Sequence, residues 1–308
     1  MTTPTPSVTT VIATRGRGAL LRRALRSIMS QVFDGHLEIL VVFDQSDIDP
    51  LDDLRAELPV GVTLVLCRND RSPGLAGARN TGIARAVNEL IAFCDDDDEW
   101  APHKLQAQIR LWQQHPEAAV IACGITIVTL DDVTDRMPPL RTTRADLLRS
   151  RVGELHPSSF LFRRADLVAM PGGVDEGIPF GYGEDYDYLL RVTELGDVLS
   201  VPDHLVIVHW DRDSYFAGRW ERMAEGLSYL LTKHPDLLDD ARNAARMSGQ
   251  VAFAYAAAGK SAAARTWTRR TLGHRPTEPR AWLALLTMTH LLSPQFTIST
   301  LNKRGRGI

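Results

Sequence analysis

The first part of the chain alternates short apolar runs with segments of helical periodicity. After the first apolar run and a turn of glycine and arginine, apolar residues recur at helical spacing. They are Leu20, Leu21, Ala24, Leu25 and Ile28. Nearly continuous apolar runs are typical of strands covered on both faces. They occupy residues 8–13, 37–43, 61–67 and 90–94. Strands that alternate with helices predict an α/β fold with a mainly parallel, Rossmann-like central sheet flanked by helices.

The pattern changes twice further along the chain. Residues 118–130 predict one long strand or a strand pair, and the polar, arginine-rich residues 131–155 predict an excursion over the surface. A helix at residues 184–196 and a strand at 204–210 then resume the α/β pattern. From Ser214 onward the chain is rich in alanine and arginine and predicts helices throughout. We therefore expect an α/β domain over residues 1–216 and an all-helical C-terminal region over 217–308.

Composition and charge narrow the class of protein. The 308 residues are 44% hydrophobic and 24% charged, as in an ordinary globular protein, and the net charge of -3 argues against a nucleic-acid binder. The three cysteines lie far apart and suit buried free thiols in a reducing compartment. No apolar stretch approaches the ~20 residues of a membrane span. We expect a cytoplasmic protein, and contact with the inner face of the membrane stays open.

The stretch "IAFCDDDDEWAP", residues 91–102, places four aspartates at the end of a predicted strand. Adjacent carboxylates repel one another, so an ordered tetrad needs a cation, amide donors or bulk water. Alternate side chains on an extended backbone point the same way, so Asp95 and Asp97 can converge while Asp96 faces elsewhere. Two convergent carboxylates suit Mg²⁺ or Mn²⁺ with a diphosphate. The alternative is a solvated turn.

Asp98 and Glu99, at the end of the acidic stretch, have a structural interpretation. Residues 100–112 predict a helix that starts near Trp100 and Pro102. Asp98 and Glu99 would then cap its first turn.

Two other acidic positions are candidates for chemistry. Asp44 follows a predicted strand and suits either a turn or a carboxylate acceptor for a base or ribose. In "FGYGEDYDYLLRV", residues 180–192, Glu184 and Asp185 follow two glycines at a helix start. Acids there are favourable with the helix dipole, and a carboxylate on a glycine loop is also how a general base is aimed.

The order of these motifs resembles the family 2 glycosyltransferases of the GT-A fold. The resemblance runs from about residue 7 to about residue 216. It rests on joint order and spacing, since each motif alone is weak. The motifs are "VIATRGRGALLRRALRSIMSQ", "VVFDQS", "GLAGARNTGIARA", "IAFCDDDDEWAPHKLQAQ", "SSFLFRR" and "FGYGEDYDYLLRVTELG".

The resemblance implies roles on the donor side. Asp97 would be the direct ligand of a divalent metal, with Asp95 as a second ligand and His209 as a further candidate in the position where some members place a histidine. The residues that would bind the nucleotide sugar are Ala13, Thr14, Arg15, Asp44, Arg79, Asn80, Asp95 and Asp96. One departure is that Phe43 and Gln45 stand where the family usually has an acid and a glycine. The identity of the nucleotide base in the donor therefore stays open.

The resemblance also implies an acceptor side. Asp185 would remove the proton of the acceptor hydroxyl, and Glu184 is the neighbour most easily confused with it. The expected function is an inverting transfer of a sugar from a nucleoside-diphosphate sugar to a glycan, lipid-linked or small-molecule acceptor with Mn²⁺ or Mg²⁺. The alternatives are a metal-dependent nucleotidyltransferase or phosphohydrolase, and a non-catalytic interaction protein of the same fold.

Overall fold

The computed structural model describes residues 5–210, 218–289 and 291–294. The strands are β1 Val8–Thr14, β2 Leu37–Phe43, β3 Val62–Arg68, β4 Leu90–Asp95, β5 Glu99–Trp100, β6 Val120–Val128, β7 Val133–Arg136, β8 Arg141–Thr142, β9 Leu161–Arg163 and β10 Val198–His209. The helices are α1 Gly18–Met29, α2 Asp52–Arg55, α3 Leu75–Arg85, α4 Lys104–Gln114, α5 Arg144–Arg149, α6 Arg164–Ala169, α7 Glu184–Val192, α8 Trp220–Lys233, α9 Ala241–Ala257, α10 Ser261–His274 and α11 Pro279–Met288.

These strands form one mixed sheet in the order β3-β2-β1-β4-β9-β6-β10-β5, with β7 beside β6 and β8 beside β10. The four strands β3, β2, β1 and β4 are parallel, and so are β6 and β10. The short β9 runs antiparallel between β4 and β6. The predicted α/β fold with a mainly parallel sheet is confirmed, and it follows from strands that are apolar on both faces.

Helix α3 packs unusually close to the sheet. A Cβ on Gly82 would lie 2.2 Å from Val11 Cγ1, so only glycine allows this approach of the helix to β1. Residues 77–83 of α3 are all buried, including Arg79 and Asn80. The close packing therefore brings the buried Arg79 side chain to Asp95, where β4 ends.

The predicted start of the helix after the tetrad is wrong. Glu99 and Trp100 form β5, which pairs antiparallel with β10, and α4 begins at Lys104 after an N-cap position at His103. The Trp100 indole is buried and donates to the Ser158 carbonyl oxygen at 2.9 Å. Strand pairing and indole burial hold this segment extended, so Asp98 and Glu99 cap no helix.

The surface excursion at residues 131–155 contains short elements that the sequence pattern misses. All four residues of β7 are exposed, whereas Leu147 of α5 is buried. Residues 131–155 are therefore partly held to the rest of the protein by the buried Leu147.

The chain divides into two compact units. The first comprises residues 1–147, 151–176 and 184–212, and the second comprises 148–150, 177–183 and 213–308. The predicted boundary between residues 216 and 217 lies outside the described residues. The helices predicted for the C-terminal region are present as α8 to α11, with α9 and α10 separated at Gly259 and α10 and α11 separated by residues 275–278.

The three cysteines, Cys67, Cys94 and Cys123, are free and buried. Among the described residues, no helix is both long enough and apolar enough to cross a bilayer.

Candidate active site

The predicted site residues of three strands meet at one edge of the sheet. Asp95 ends β4 and pairs in register with Ala13 of β1. The Asp44 backbone N–H donates to the Thr14 carbonyl oxygen at 2.8 Å, which places the end of β2 beside the end of β1. Because these strands are parallel, their carboxyl ends form the crevice where open α/β sheets bind ligands. Arg15 follows β1 and is exposed.

The aspartate tetrad is ordered by a different partner for each carboxylate. Asp95 accepts from Arg79 at 2.9 Å, and Asp96 is fully buried and accepts from Thr14 Oγ1 at 2.6 Å. The Asp97 carboxylate, 32% exposed, accepts from Arg17 at 2.7 Å. Asp98 is buried and accepts from Ser158 Oγ at 2.5 Å. The expected pairing differs, because the Arg17 guanidinium contacts both Asp96 and Asp97, whereas Asp95 pairs with Arg79.

Burial and nearby charges shift the pKa values of these carboxyls in different directions. Burial raises the pKa of Asp96 to about 6, although Arg17 and Thr14 oppose the change. Burial and the nearby Asp95 charge raise the pKa of Asp98 well above its ordinary value. Burial also disfavours the Asp95 carboxylate, but Arg79 and His156 outweigh it and lower the pKa of Asp95. The tetrad therefore need not hold four full charges at once.

Arg79 is a buried bridge between two carboxylates. Its guanidinium lies 2.9 Å from Asp95 Oδ1 and 2.5 Å from Glu184 Oε1, and its side chain is 4% exposed. The pKa of Arg79 is raised because these carboxylates outweigh its desolvation. The resemblance implies contact between Arg79 and the nucleotide, and the structure places Arg79 beside Asp95 as its counter-ion.

Asn80, the neighbouring residue on α3, orders a distant loop. Its amide exchanges two hydrogen bonds with the Val174 backbone, each of 2.8 Å, and donates to Glu176 at 2.7 Å. Glu176 in turn accepts from the Ser72 backbone N–H at 3.0 Å. The contacts of Asn80 are therefore those of a residue that positions a loop beside the crevice.

Asp44 lies at a cleft of about 400 Å³. Its carboxylate accepts from Asn69 Nδ2 at 2.9 Å, from the Gly74 backbone N–H at 3.0 Å and from Gln45 Nε2 at 3.2 Å. Gln45 has φ of +46°, a conformation that favours glycine, at the position where the resemblance expects glycine. The cleft is lined by Phe43, Asp44, Gln45, Ser46, Asp47, Arg68, Asn69, Arg71 and Pro73.

Glu184 and Asp185 begin α7 in different environments. Glu184 is buried, and its Oε2 has no hydrogen-bond partner in the described residues. Burial raises the pKa of Glu184 to about 7 despite the Arg79 contact, and the nearby Asp185 and Asp95 add to the rise. Asp185 is 15% exposed and accepts from Arg151 at 2.6 Å and from the Tyr186 backbone N–H at 2.8 Å. Asp185 is therefore the more accessible carboxylate of the two.

His156 lies beside the tetrad, and sequence reasoning misses it. The potential ligand atoms of Asp95, Asp98 and His156 lie within 4.8 Å of one another. His209, the sequence candidate, instead places Nε2 2.7 Å from Glu99 Oε1. The stretch "LHPSS" before β9 was the available signal for His156, since its Ser158 also bonds Asp98. Oxygen donors dominate this edge, and they fit a hard cation such as Mg²⁺ or Mn²⁺.

Arg17 is a second residue that sequence reasoning misses. It lies in the glycine turn after β1, its side chain is 46% exposed, and it contacts Asp96 at 2.5 Å and Asp97 at 2.7 Å. An arginine in a glycine-rich turn after the first strand was the available signal. Its charge offsets that of the two carboxylates.

Comparison with known proteins agrees with this geometry. The profile "Glycosyl transferase family 2" matches residues 9–169. Over 196 residues, covering 63% of this chain and 71% of the relative, the chain is 26% identical to the amylovoran biosynthesis glycosyltransferase AmsE of Erwinia amylovora.

Two solved structures share the fold. S. aureus TarS 1-349 in complex with UDP-GlcNAc has a TM-score of 0.58 at 15% identity, covering 97% of this chain and 92% of that one. The mannosyltransferase PcManGT from Pyrobaculum calidifontis, in complex with GDP-Man and Mn²⁺, has a TM-score of 0.57 at 20% identity, covering 96% and 84%. Both have the GT-A fold.

The chain belongs to glycosyltransferase family 2, as the order of its motifs predicts, and it is a glycosyltransferase of the GT-A fold.

The raised pKa of Glu184 makes stability depend on pH. In the unfolded chain this carboxyl loses its proton near 4.5, whereas the folded protein retains it to about 7. The folded state binds more protons in between, so this group's contribution to stability is lost as pH rises from 4.5 to 7. In urea unfolding, the free energy of unfolding of the wild type should fall between pH 4.5 and 7. In Glu184→Gln this fall should be smaller by on the order of 3 kcal/mol.

The exposed Glu89→Gln variant is the matched control and should keep the wild-type pH dependence. Parallel stability curves for the wild type and Glu184→Gln would show that Glu184 ionises normally in the folded protein.

Proposed function

We propose that this glycosyltransferase transfers a sugar from a nucleoside-diphosphate sugar to an acceptor hydroxyl with inversion, and that it uses a divalent metal. The observation that supports this best is the Arg79 bridge, which joins the carboxylate at the end of β4 to the acidic start of α7. This contact would hold the donor and acceptor sides of the site next to each other.

The donor side follows from the cleft and the tetrad. The base would lie in the cleft beside Asp44, where Gln45 can exchange its contact with the carboxylate for a hydrogen bond to the base. Asp95 and Asp97 would hold the metal, and a bound metal supplies positive charge that stabilises the departing diphosphate. The complexes of TarS with UDP-GlcNAc and of PcManGT with GDP-Man and Mn²⁺ support a donor of this class.

The acceptor side follows from the start of α7. The acceptor oxygen would attack the anomeric carbon as the bond from that carbon to the diphosphate oxygen breaks, and the hydroxyl proton would pass to Asp185 Oδ2. The ion pair with Arg151 occupies this oxygen, so acceptor binding would displace an arginine that is 46% exposed. The name of AmsE, an amylovoran biosynthesis enzyme, supports a glycan acceptor.

We expect a nucleoside diphosphate and Mn²⁺ together to raise the melting temperature, because a ligand that binds only the folded state stabilises it by mass action. UDP and GDP are the probes, each with and without metal. Asp97→Ala should abolish the metal-dependent part of the shift, since too few protein ligands then remain. Glu89→Ala, at an exposed acid outside the site, is the control. A full shift in Asp97→Ala would remove Asp97 from the metal site.

Asp185→Asn keeps the size of the side chain and removes its basicity. Turnover measured as glycosylated product should fall by about 10² to 10⁴ while nucleotide binding stays nearly intact. Asp166→Asn, which alters a carboxylate paired with Arg163 elsewhere in the fold, is the matched control. Normal turnover in Asp185→Asn would show that Asp185 is not the general base. A comparable loss only in Glu184→Gln would assign that role to Glu184. Nucleotide turnover that needs no acceptor would favour a phosphohydrolase.

A further inference from the structure

The segment with helices α9, α10 and α11 carries a charge opposite to that of the whole chain. Residues 241–294 contain eight lysines and arginines and one glutamate, although the chain has a net charge of -3. The glutamate, Glu278, is buried and contacts Arg280 at 2.7 Å. The exposed charge of this segment is therefore positive.

The outer face of α10 is basic. Ala264, Thr268 and Thr271 of this helix are buried. The opposite side exposes Arg265, Arg269 and Arg270. None of these three arginines forms an ion pair within the described ranges, and Arg270 lies over the Trp267 ring at 4.9 Å. Arginines with no carboxylate partner are available to external anions.

The outer face of α11 is apolar. Ala281, Ala284 and Thr287 are buried, whereas Trp282 is 52% exposed and Leu286, one turn later, is 43% exposed. Leu291 is 76% exposed, and residues 281–294 include no lysine, arginine, aspartate or glutamate. A helix with an apolar outer face needs an apolar phase or a partner to cover it.

The basic helix α10 and the apolar helix α11 meet at one turn. The Trp282 indole N–H donates to the Pro276 carbonyl oxygen at 3.0 Å, which fixes the tryptophan to the turn between the two helices. Arg275, the residue before that proline, is exposed and hydrogen-bonds Thr277 at 3.0 Å. An exposed tryptophan and an exposed arginine thus lie at the same turn.

We propose that the outer faces of α10 and α11 bind the surface of a membrane that contains anionic phospholipid. Tryptophan and leucine insert into the interfacial region, and arginines bind lipid phosphates, so the two faces together match both phases of a bilayer surface. A soluble polyanion would engage the arginines but leave the apolar face uncovered. The ten residues of α11 are too few to span a bilayer, so the helix lies in the membrane plane.

Vesicle flotation of the full chain tests this. Binding should appear on phosphatidylcholine vesicles containing about 30% phosphatidylglycerol, be near zero on phosphatidylcholine alone, and weaken in about 0.5 M NaCl. Arg265→Gln with Arg269→Gln should lower the partition constant roughly thirtyfold, from about 1 kcal/mol per arginine. Trp282→Ser with Leu286→Ser should lower it by at least tenfold.

Matched controls use comparable residues in the first unit. Arg110→Gln changes an exposed arginine, and Val60→Ser changes a fully exposed apolar residue, and both should bind vesicles as the wild type does.

Several results would overturn the proposal. They are the absence of binding to anionic vesicles, equal binding to both vesicle types, and unchanged binding in either double variant. Loss of binding only on truncation after residue 294 would place the contact in the tail. A wild-type dimer that the Trp282 and Leu286 changes convert to a monomer, without vesicle binding, would assign the apolar face to a second copy of the chain.

Discussion

The candidate site depends on the burial of one guanidinium. Arg79 lies on a helix whose glycine at position 82 lets it approach β1, and the sheet and α7 supply the two carboxylates that compensate its charge. A buried cation without partners is strongly unfavourable, and loss of one partner of a buried pair typically costs about 3–5 kcal/mol. The Phe93 ring, 5.3 Å from the guanidinium, adds a favourable face. The network therefore fixes the end of β4 against the start of α7.

The same constraint explains how four adjacent aspartates fold. Asp95 pairs with the buried Arg79, and the half-exposed Arg17 bridges Asp96 and Asp97. Asp98 turns inward onto Ser158. Repulsion is reduced by two cations and by burial that favours protonated carboxyls. Among the four, Asp97 keeps the most exposed carboxylate with a partner that is itself half-exposed, and it is accordingly the member best placed to exchange that partner for a ligand.

The sequence predicts the features that depend on local periodicity. The strand ends at Asp44 and Asp95, the acidic start of α7 and the helical C-terminal region all follow from runs and breaks in the apolar pattern. The start of α4 does not, because Glu99 and Trp100 are held extended by β10, about a hundred residues away. Arg17 and His156 are not predicted for the same reason, since only the fold brings them to the tetrad.

The Arg79 network is tested most directly by calorimetry of nucleoside diphosphate with Mn²⁺ on Arg79→Gln, with Arg110→Gln as the matched control. Because the single variant leaves Asp95 and Glu184 without their shared cation, Arg79→Gln with Glu184→Gln, which removes one of the two acids, is measured beside it. Both Arg79 variants should lose at least tenfold in nucleotide affinity, while Arg110→Gln should bind normally. Wild-type affinity in a folded Arg79 variant would contradict this expectation.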